Sequence, residues 1–322
     1  MENRELVSIG IDIGGTKISA AAVHNEQIVS EVLSYKTPDN LGDILKTVLD
    51  AVEKLKNQYN AKFVGIATAG TVNLDNSRVT GSTGNLPHGY KNLEFKEIIE
   101  EKYGLLTLIE NDANAAGYAE FKTGNGKGYN NVVVLTLGTG IGGGIIVEGK
   151  LLKGKSGGAA ECGHVPITWG KKRACTCGAW DCFEAYASGT GYAKNACEMA
   201  KEVPPEERTG VLKLKNPDSL TTYDIFEAIN NNDSFAVKVH ERWEEYLVMG
   251  LAIYANAFDP DCIILSGGMA KFVNFEKLEK ELQERLVVPP VKVLPAKAEN
   301  YAGIIGAAVL AVEKFEKQPL KI

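Results

Sequence analysis

The stretch "ECGHVPITWGKKRACTCGAWDCFEAY", residues 161–186, gathers Cys175, Cys177 and Cys182, with His164 upstream of them and Glu161 and Glu184 at its edges. Three thiolates and an imidazole are a tetrahedral zinc set, although in the order His-x10-Cys-x-Cys-x4-Cys the C-x-C pair is tighter than the usual C-x₂₋₄-C spacing. The C-x-x-C pair of a redox dithiol is missing, which lowers the reactive-thiol reading. The loop is rich in Gly, Lys and Arg and has no apolar period, so a hydrophobic core cannot order it. A closed, four-ligand structural zinc can, and such a metal is not the Lewis acid of a reaction. Cys162, Cys197 and Cys262 are scattered among apolar residues and read as buried thiols.

Two further sets could do chemistry. Gly14-Gly15-Thr16 and Gly138-Thr139-Gly140 each follow an apolar run. Either could be a hairpin turn in which glycine supplies positive φ. Glycine also lets a backbone approach an anion, and a threonine hydroxyl can donate to one. A strand follows each turn, which excludes a Walker loop and a dinucleotide fingerprint. Two β-turns holding phosphates from opposite sides remain, with Asp12 placed to hold Mg²⁺ beside them. Asp112, in "IENDANAA", reads as a helix N-cap by position. Near phosphate turns it is also a candidate general base for a sugar hydroxyl, with Asn111 beside it able to bond a substrate hydroxyl.

The pattern around these residues is that of an α/β protein. Residues 5–35 alternate as strands: "LVSIGIDI", the turn "GGTK", "ISAAAV", the turn "HNEQ", then "IVSEVLSY". Leu41, Ile44, Leu45, Val48, Leu49, Val52 and Leu55 are spaced as a helix, with Asp39 as its N-cap. "KFVGIATAG" reads as a buried strand. "NVVVLTLGTGIGGGIIVEGKLLKG" repeats the opening design of strand, Gly/Thr turn, strand, turn and strand, so residues 7–33 and 132–153 are two versions of one unit. Residues 183–200 and 222–258 are helical, 203–219 reads as a polar surface connection, "DCIILSGGMA" as a strand and turn, and 300–315 as a final helix of small residues.

At 322 residues with 44% apolar and 24% charged residues, the chain is a soluble globular protein of one large or two ordinary domains. A net charge of −6 argues against nucleic acid or an anionic membrane as partner. No apolar run reaches the ~20 residues of a spanning helix. The N-terminus lacks the marks of a signal peptide, so a cytoplasmic location with reduced thiols is expected.

Taken in order, "DIGGTK" at 12–17, "ENDANAA" at 110–116, "GTGIGGG" at 138–144, "ECGHV" at 161–165 and "CTCGAWDCFEAYASG" at 175–189 resemble the ROK-family sugar kinases of the actin/hexokinase/Hsp70 superfamily. The resemblance covers nearly the whole chain. It implies a two-lobed actin-like ATPase (ribonuclease H-like) α/β fold with duplicated halves. The small lobe would be 1–111, with the helix at 300–322 packed back on it, and the large lobe 112–299 would carry the zinc loop. It implies Asp112 as catalytic base and a sugar site of Asn85, Asn111, Asp112, Glu161, His164 and Glu184. ATP would lie on Asp12, Gly14, Gly15, Thr16, Lys17, Gly138, Thr139, Gly140, Gly267 and Gly268. Structural Zn²⁺ would sit on His164, Cys175, Cys177 and Cys182, with His164 serving both metal and sugar. The implied reaction is ATP-dependent phosphorylation of a hexose at its 6-hydroxyl with Mg·ATP. Glucose is expected as substrate, with N-acetylmannosamine or another N-acetylhexosamine as alternative, in a homodimer or homotetramer. A sugar-responsive repressor of the same family would need a helix-turn-helix domain ahead of the first phosphate loop, and the aspartate of that loop is already at position 12. Two positions depart from the family pattern, Asp181 where glycine is usual before the third cysteine and Gly84 where proline is common before Asn85; both bear on the identity of the sugar.

Overall fold

A computed structural model describes residues 6–81, 84, 86–298 and 301–316. The opening hairpin is present: β1 (Val7–Ile13) runs antiparallel to β2 (Lys17–His24), with Ile13 opposite Ile18. The run expected as a third strand is instead two short ones, β3 (Gln27–Ile28) and β4 (Leu33–Lys36), both paired with β2. The break lies where the Ser30 hydroxyl, rather than a backbone carbonyl, accepts the Ala22 N–H at 2.9 Å.

Helix α1 (Leu41–Tyr59) buries Ile44, Val48, Ala51, Val52 and Leu55 along one stripe. Its N-cap is Asn40, whose side chain accepts the Asp43 N–H at 2.9 Å, and not the expected Asp39. Strand β5 (Phe63–Thr68) is buried at every position, as its unbroken apolar run requires. A small hairpin of β6 (Thr71–Val72) and β7 (Val79–Gly81) follows, then α2 (Phe95–Tyr103), β8 (Leu106–Asn111) and α3 (Asp112–Thr123). The first sheet has the order β3-β2-β1-β5-β8, with β1, β5 and β8 parallel.

The chain continues through β9 (Val132–Leu137), β10 (Ile141–Val147), β11 (Lys150–Leu151), α4 (Glu184–Ala187), α5 (Gly189–Lys201), α6 (Gly210–Leu214), α7 (Thr222–Asn230) and α8 (Ser234–Phe258). It ends with β12 (Cys262–Ser266), α9 (Phe275–Gln283), β13 (Lys292–Pro295) and α10 (Ala302–Phe315). Residues 203–219 are not a bare connection, because they contain α6, with Val211 and Leu212 buried. The second sheet has the order β11-β10-β9-β12-β13. Its hairpin and following strands repeat the order of the first sheet, which is the duplication read from the sequence.

By internal packing the chain divides into two units, Met1–Val132 with Gly144–Ala160 and Ala296–Ile322, and Val133–Gly143 with Glu161–Pro295. Helix α3, expected with the second lobe, belongs to the first because it packs along α10. The contact uses residues without bulk: Ala67, Ala115 and Ala307 form one cluster, and a side chain at Gly306 would run into the Ala115 carbonyl. On the opposite face of the first sheet, Ile9, Ile11, Val64, Ile66 and Ile109 form one core with α1 and with Phe95 and Ile99 of α2. The second unit buries Trp243, Phe183, Tyr192, Leu247 and Leu251, and the Trp243 indole donates to the Ala187 carbonyl at 2.7 Å. Among the described residues, no helix is long and apolar enough to cross a membrane.

Candidate active site

In the first unit, parallel strands β1, β5 and β8 bring their carboxyl ends to one edge, where ligands bind in open α/β sheets. Asp12 is the penultimate residue of β1, opposite Ala67 of β5, and Asn111 ends β8 opposite Thr68. Asn111 is the N-cap of α3: its Oδ1 accepts the Asn114 N–H at 3.0 Å, and its Nδ2 donates to the Gly70 carbonyl at 3.0 Å. The capping role that position alone would give Asp112 therefore belongs to its neighbour. Asp112 is the first helical residue, and its Oδ1 accepts the Ala113 N–H at 2.9 Å.

Asp12 and Asp112 are both half-buried. Burial, and next the charge of Asp112, push the Asp12 carboxyl up to about 6, against the pull of Lys17. Burial likewise raises Asp112, although its bond from the Ala113 N–H opposes this. A raised carboxyl is a better proton acceptor. Two desolvated carboxyls that repel each other are also a fitting place for a divalent cation. On the first phosphate turn the Gly14 N–H donates to the Lys17 carbonyl at 3.0 Å and the Thr37 hydroxyl donates to the Gly14 carbonyl at 2.7 Å. Gly15, Thr16 and Lys17 are exposed. Gly303 of α10 lies against the Asp12 carboxyl, and an added Cβ there would sit 2.7 Å from Oδ2.

The sequence reading missed the support behind this edge. Glu110 is 2% exposed. Its Oε1 accepts the Asn111 N–H at 3.0 Å and Asn114 Nδ2 at 3.2 Å, while Oε2 accepts Asn76 Nδ2 at 2.9 Å and Lys153 Nζ at 2.7 Å. Lys153 also donates to Asn76 Oδ1 at 2.5 Å. The one signal was an acid at the end of an otherwise apolar strand, and it names no partner.

In the second unit, the turn Gly138–Ile141 is held by the segment that follows the cysteines. The Gly189 N–H donates to the Gly138 carbonyl at 2.8 Å, the Thr190 hydroxyl to the Thr139 carbonyl at 2.9 Å, and the Ile141 N–H to Glu184 Oε2 at 2.8 Å. Gly14, Gly138 and Gly140 sit in hairpin turns but outside the left-handed region, so positive φ is not what they supply there. At Gly140 a Cβ would meet the Glu184 carboxylate. Gly267 does need its φ of 87°, and Gly268 beside it faces open space.

His164, Cys175, Cys177 and Cys182 converge, with one ligand atom from each within 4.8 Å of the others. Zn–S bonds of ~2.3 Å and Zn–N bonds of ~2.0 Å at tetrahedral angles give edges of about 3.8 Å between sulfurs and about 3.5 Å from sulfur to nitrogen. Cys177 Sγ lies 3.8 Å from Cys182 Sγ, and Cys175 Sγ lies 3.6 Å from His164 Nδ1. The donor set thus fits zinc in both chemistry and spacing. Glu161 is exposed at the head of the turn that carries His164, and Glu184 is half-buried. Asn85 lies outside the described residues.

Asp181 adopts φ 60°, which explains why glycine is common there. Its carboxylate accepts the Arg173 N–H at 2.9 Å and the Tyr186 hydroxyl at 2.7 Å. Arg173 in turn reaches Asn195 at 2.6 Å and pairs with Glu198, tying the loop to α5.

Residues 8–314 match the model of the ROK family. The chain belongs to the ROK family. Among ROK proteins it is 36% identical over 316 residues to the glucokinase of Streptomyces coelicolor, covering 95% of this chain and 98% of that one. It is 31% identical over 319 residues to the N-acetyl-D-glucosamine kinase of Vibrio cholerae, covering 94% and 99%. Its fold matches the ROK glucokinase of Streptomyces griseus solved with glucose and AMPPNP, with a TM-score of 0.77, 34% identity, and coverage of 95% and 99%. The actin-like ATPase fold of ROK sugar kinases is therefore the fold of this chain.

Proposed function

We propose that this protein is an ATP-dependent hexose kinase that phosphorylates glucose at its 6-hydroxyl. The observation that carries the reading is the carboxyl pair at the strand ends of the first unit. Asp112, freed from capping by Asn111 and raised by burial, is suited to orient the 6-hydroxyl and take its proton as the phosphoryl group is transferred. Asp12 would hold Mg²⁺, which neutralises phosphate charge when bound. The two Gly/Thr turns, with Lys17, would hold the phosphates, and Gly267 and Gly268 would lie against adenosine. Asn85, Asn111, Glu161, His164 and Glu184 would bind the remaining sugar hydroxyls. Zinc on His164, Cys175, Cys177 and Cys182 would fix the loop, with Nδ1 of His164 toward the metal and its other nitrogen free for a hydroxyl.

Glucose is the first choice because the glucokinase of S. coelicolor shares 36% of its residues with this chain along nearly all of both. An N-acetylhexosamine is the second, favoured by the 31% identity to the V. cholerae kinase. A coupled assay with Mg·ATP and glucose, N-acetylmannosamine, N-acetylglucosamine, mannose, allose or fructose decides between them. The expected result is the highest kcat/KM with glucose. A higher value with an N-acetylated sugar overturns the choice of sugar, and no transfer to any of them overturns the kinase reading.

A further inference from the structure

The carboxylate of Glu184 faces two ways. Its Oε2 accepts the Ile141 N–H at 2.8 Å, on the last residue of the phosphate turn. Its Oε1 accepts the Thr176 hydroxyl at 3.3 Å and lies 3.9 Å from Cys175 Sγ, inside the Cys/His cluster. This carboxylate fills the space that a Cβ at Gly140 would take. Glu184 also follows the ligand Cys182 by two residues in a segment with little freedom. Phe183 between them is fully buried and its N–H donates to the Val165 carbonyl at 2.8 Å, next to His164.

The same segment goes on to make two further bonds to the turn, through the Gly189 N–H and the Thr190 hydroxyl. The turn's backbone is thus positioned from one side by residues 184–190, whose start is fixed by the cluster. A binding role for the sugar alone does not call for the bond to Ile141. A carboxylate oxygen has a second lone pair, so the Ile141 bond and a sugar hydroxyl can share it.

We propose that Glu184 is a positioning residue for the phosphate turn, and that through it the Cys/His cluster sets the affinity for nucleotide as well as for sugar. The proposal rests on the kinase reading above and deepens it. Loss of the metal frees Cys175 and Thr176 to move, the carboxylate loses its anchor, and the Ile141 amide no longer holds the turn open for phosphate.

The test is calorimetric titration with Mg·AMPPNP in the absence of sugar, on zinc-loaded and chelator-stripped protein, for wild type, Glu184→Ala, Glu184→Gln and Thr176→Val. In wild type, stripping weakens binding about tenfold, the value of one charge-assisted hydrogen bond. Zinc-loaded Glu184→Ala binds about tenfold more weakly than wild type and loses little more on stripping, because the link is already cut. Glu184→Gln, which keeps an acceptor for Ile141, stays within a few-fold of wild type. Thr176→Val loses two- to threefold and decides the matter together with stripped wild type if Glu184→Ala does not fold. Wild-type affinity that ignores the metal, or a Glu184→Ala protein that keeps the full tenfold metal dependence, overturns the proposal. A zinc-loaded wild type that binds no nucleotide overturns instead the kinase reading on which it rests.

Discussion

Replacing Asp12 with asparagine should make the nucleotide-free protein more stable while removing its function. The folded protein holds the Asp12 carboxyl at about 6 rather than 3.8, chiefly by burial and next by the charge of Asp112. At 1.36 kcal/mol per pK unit, that rise is a cost of ~3 kcal/mol when the group is ionised. Between these two values the native state binds more protons than the unfolded state, so stability falls as pH rises through the window. Above it the cost is fully present; below 3.8 it is gone. Asparagine has the same shape and no charge, and it also relieves Asp112. Spread over the unfolding entropy of a chain this size, ~3 kcal/mol is a rise in Tm of about 4 °C. Thermal melts of wild type and Asp12→Asn, without nucleotide, should show that gap at pH 8 and a shrinking one as pH falls toward 4.5. Added Mg·AMPPNP should then stabilise wild type and hardly move the variant. An Asp12→Asn protein no more stable than wild type at pH 8, or a gap that does not vary with pH, refutes the reasoning.

Asp112→Asn should lower kcat by ~10²–10⁴, the usual contribution of a general base, while calorimetry finds sugar affinity within a few-fold of wild type. The acid limb of the kcat profile, placed above the ordinary carboxylate range by the burial of Asp112, should vanish in the same variant. Lys153→Met leaves the buried Glu110 carboxylate without its cation and should cost ~3–5 kcal/mol by chemical denaturation; adding Glu110→Gln should recover part of it. Gly306→Ala forces a methyl group against the Ala115 carbonyl and should cost ~1–3 kcal/mol; an unchanged denaturation midpoint would show that α10 and α3 can separate freely.

The fold was legible because its signals are local: apolar runs, glycine punctuation and a unit that occurs twice. The Cys/His cluster was legible because its four donors are close in sequence and serve no core. What escaped notice depends on choices between neighbours or on distant partners. Asn111 and Asp112 are both good N-caps, as are Asn40 and Asp39, and only backbone geometry shows which one is used. Glu110 finds Asn76 and Lys153 from separate loops, a pairing no spacing encodes. Glu184 was read as a sugar ligand from its place in a motif, and its bond to Ile141 spans 43 positions of chain.

The doubled architecture has a consequence for charge. Strand β1 places Asp12 two residues before its glycine turn, and β9 places Thr136 in the corresponding position. Strand β8 ends on Asn111 with Asp112 next, while β13 ends on Pro295 with Ala296 next. At these two positions the repeat is one of backbone and not of electrostatics, with aspartates in one copy and uncharged residues in the other. Under the proposed function, the second turn would meet phosphate with no aspartate at the strand position that Asp12 fills in the first, and the carboxylate beside it, Glu184, is turned to the Ile141 N–H. Duplicating the scaffold without its two aspartates would let one copy supply the proton acceptor and the cation ligand while the other offers backbone N–H groups to an anion.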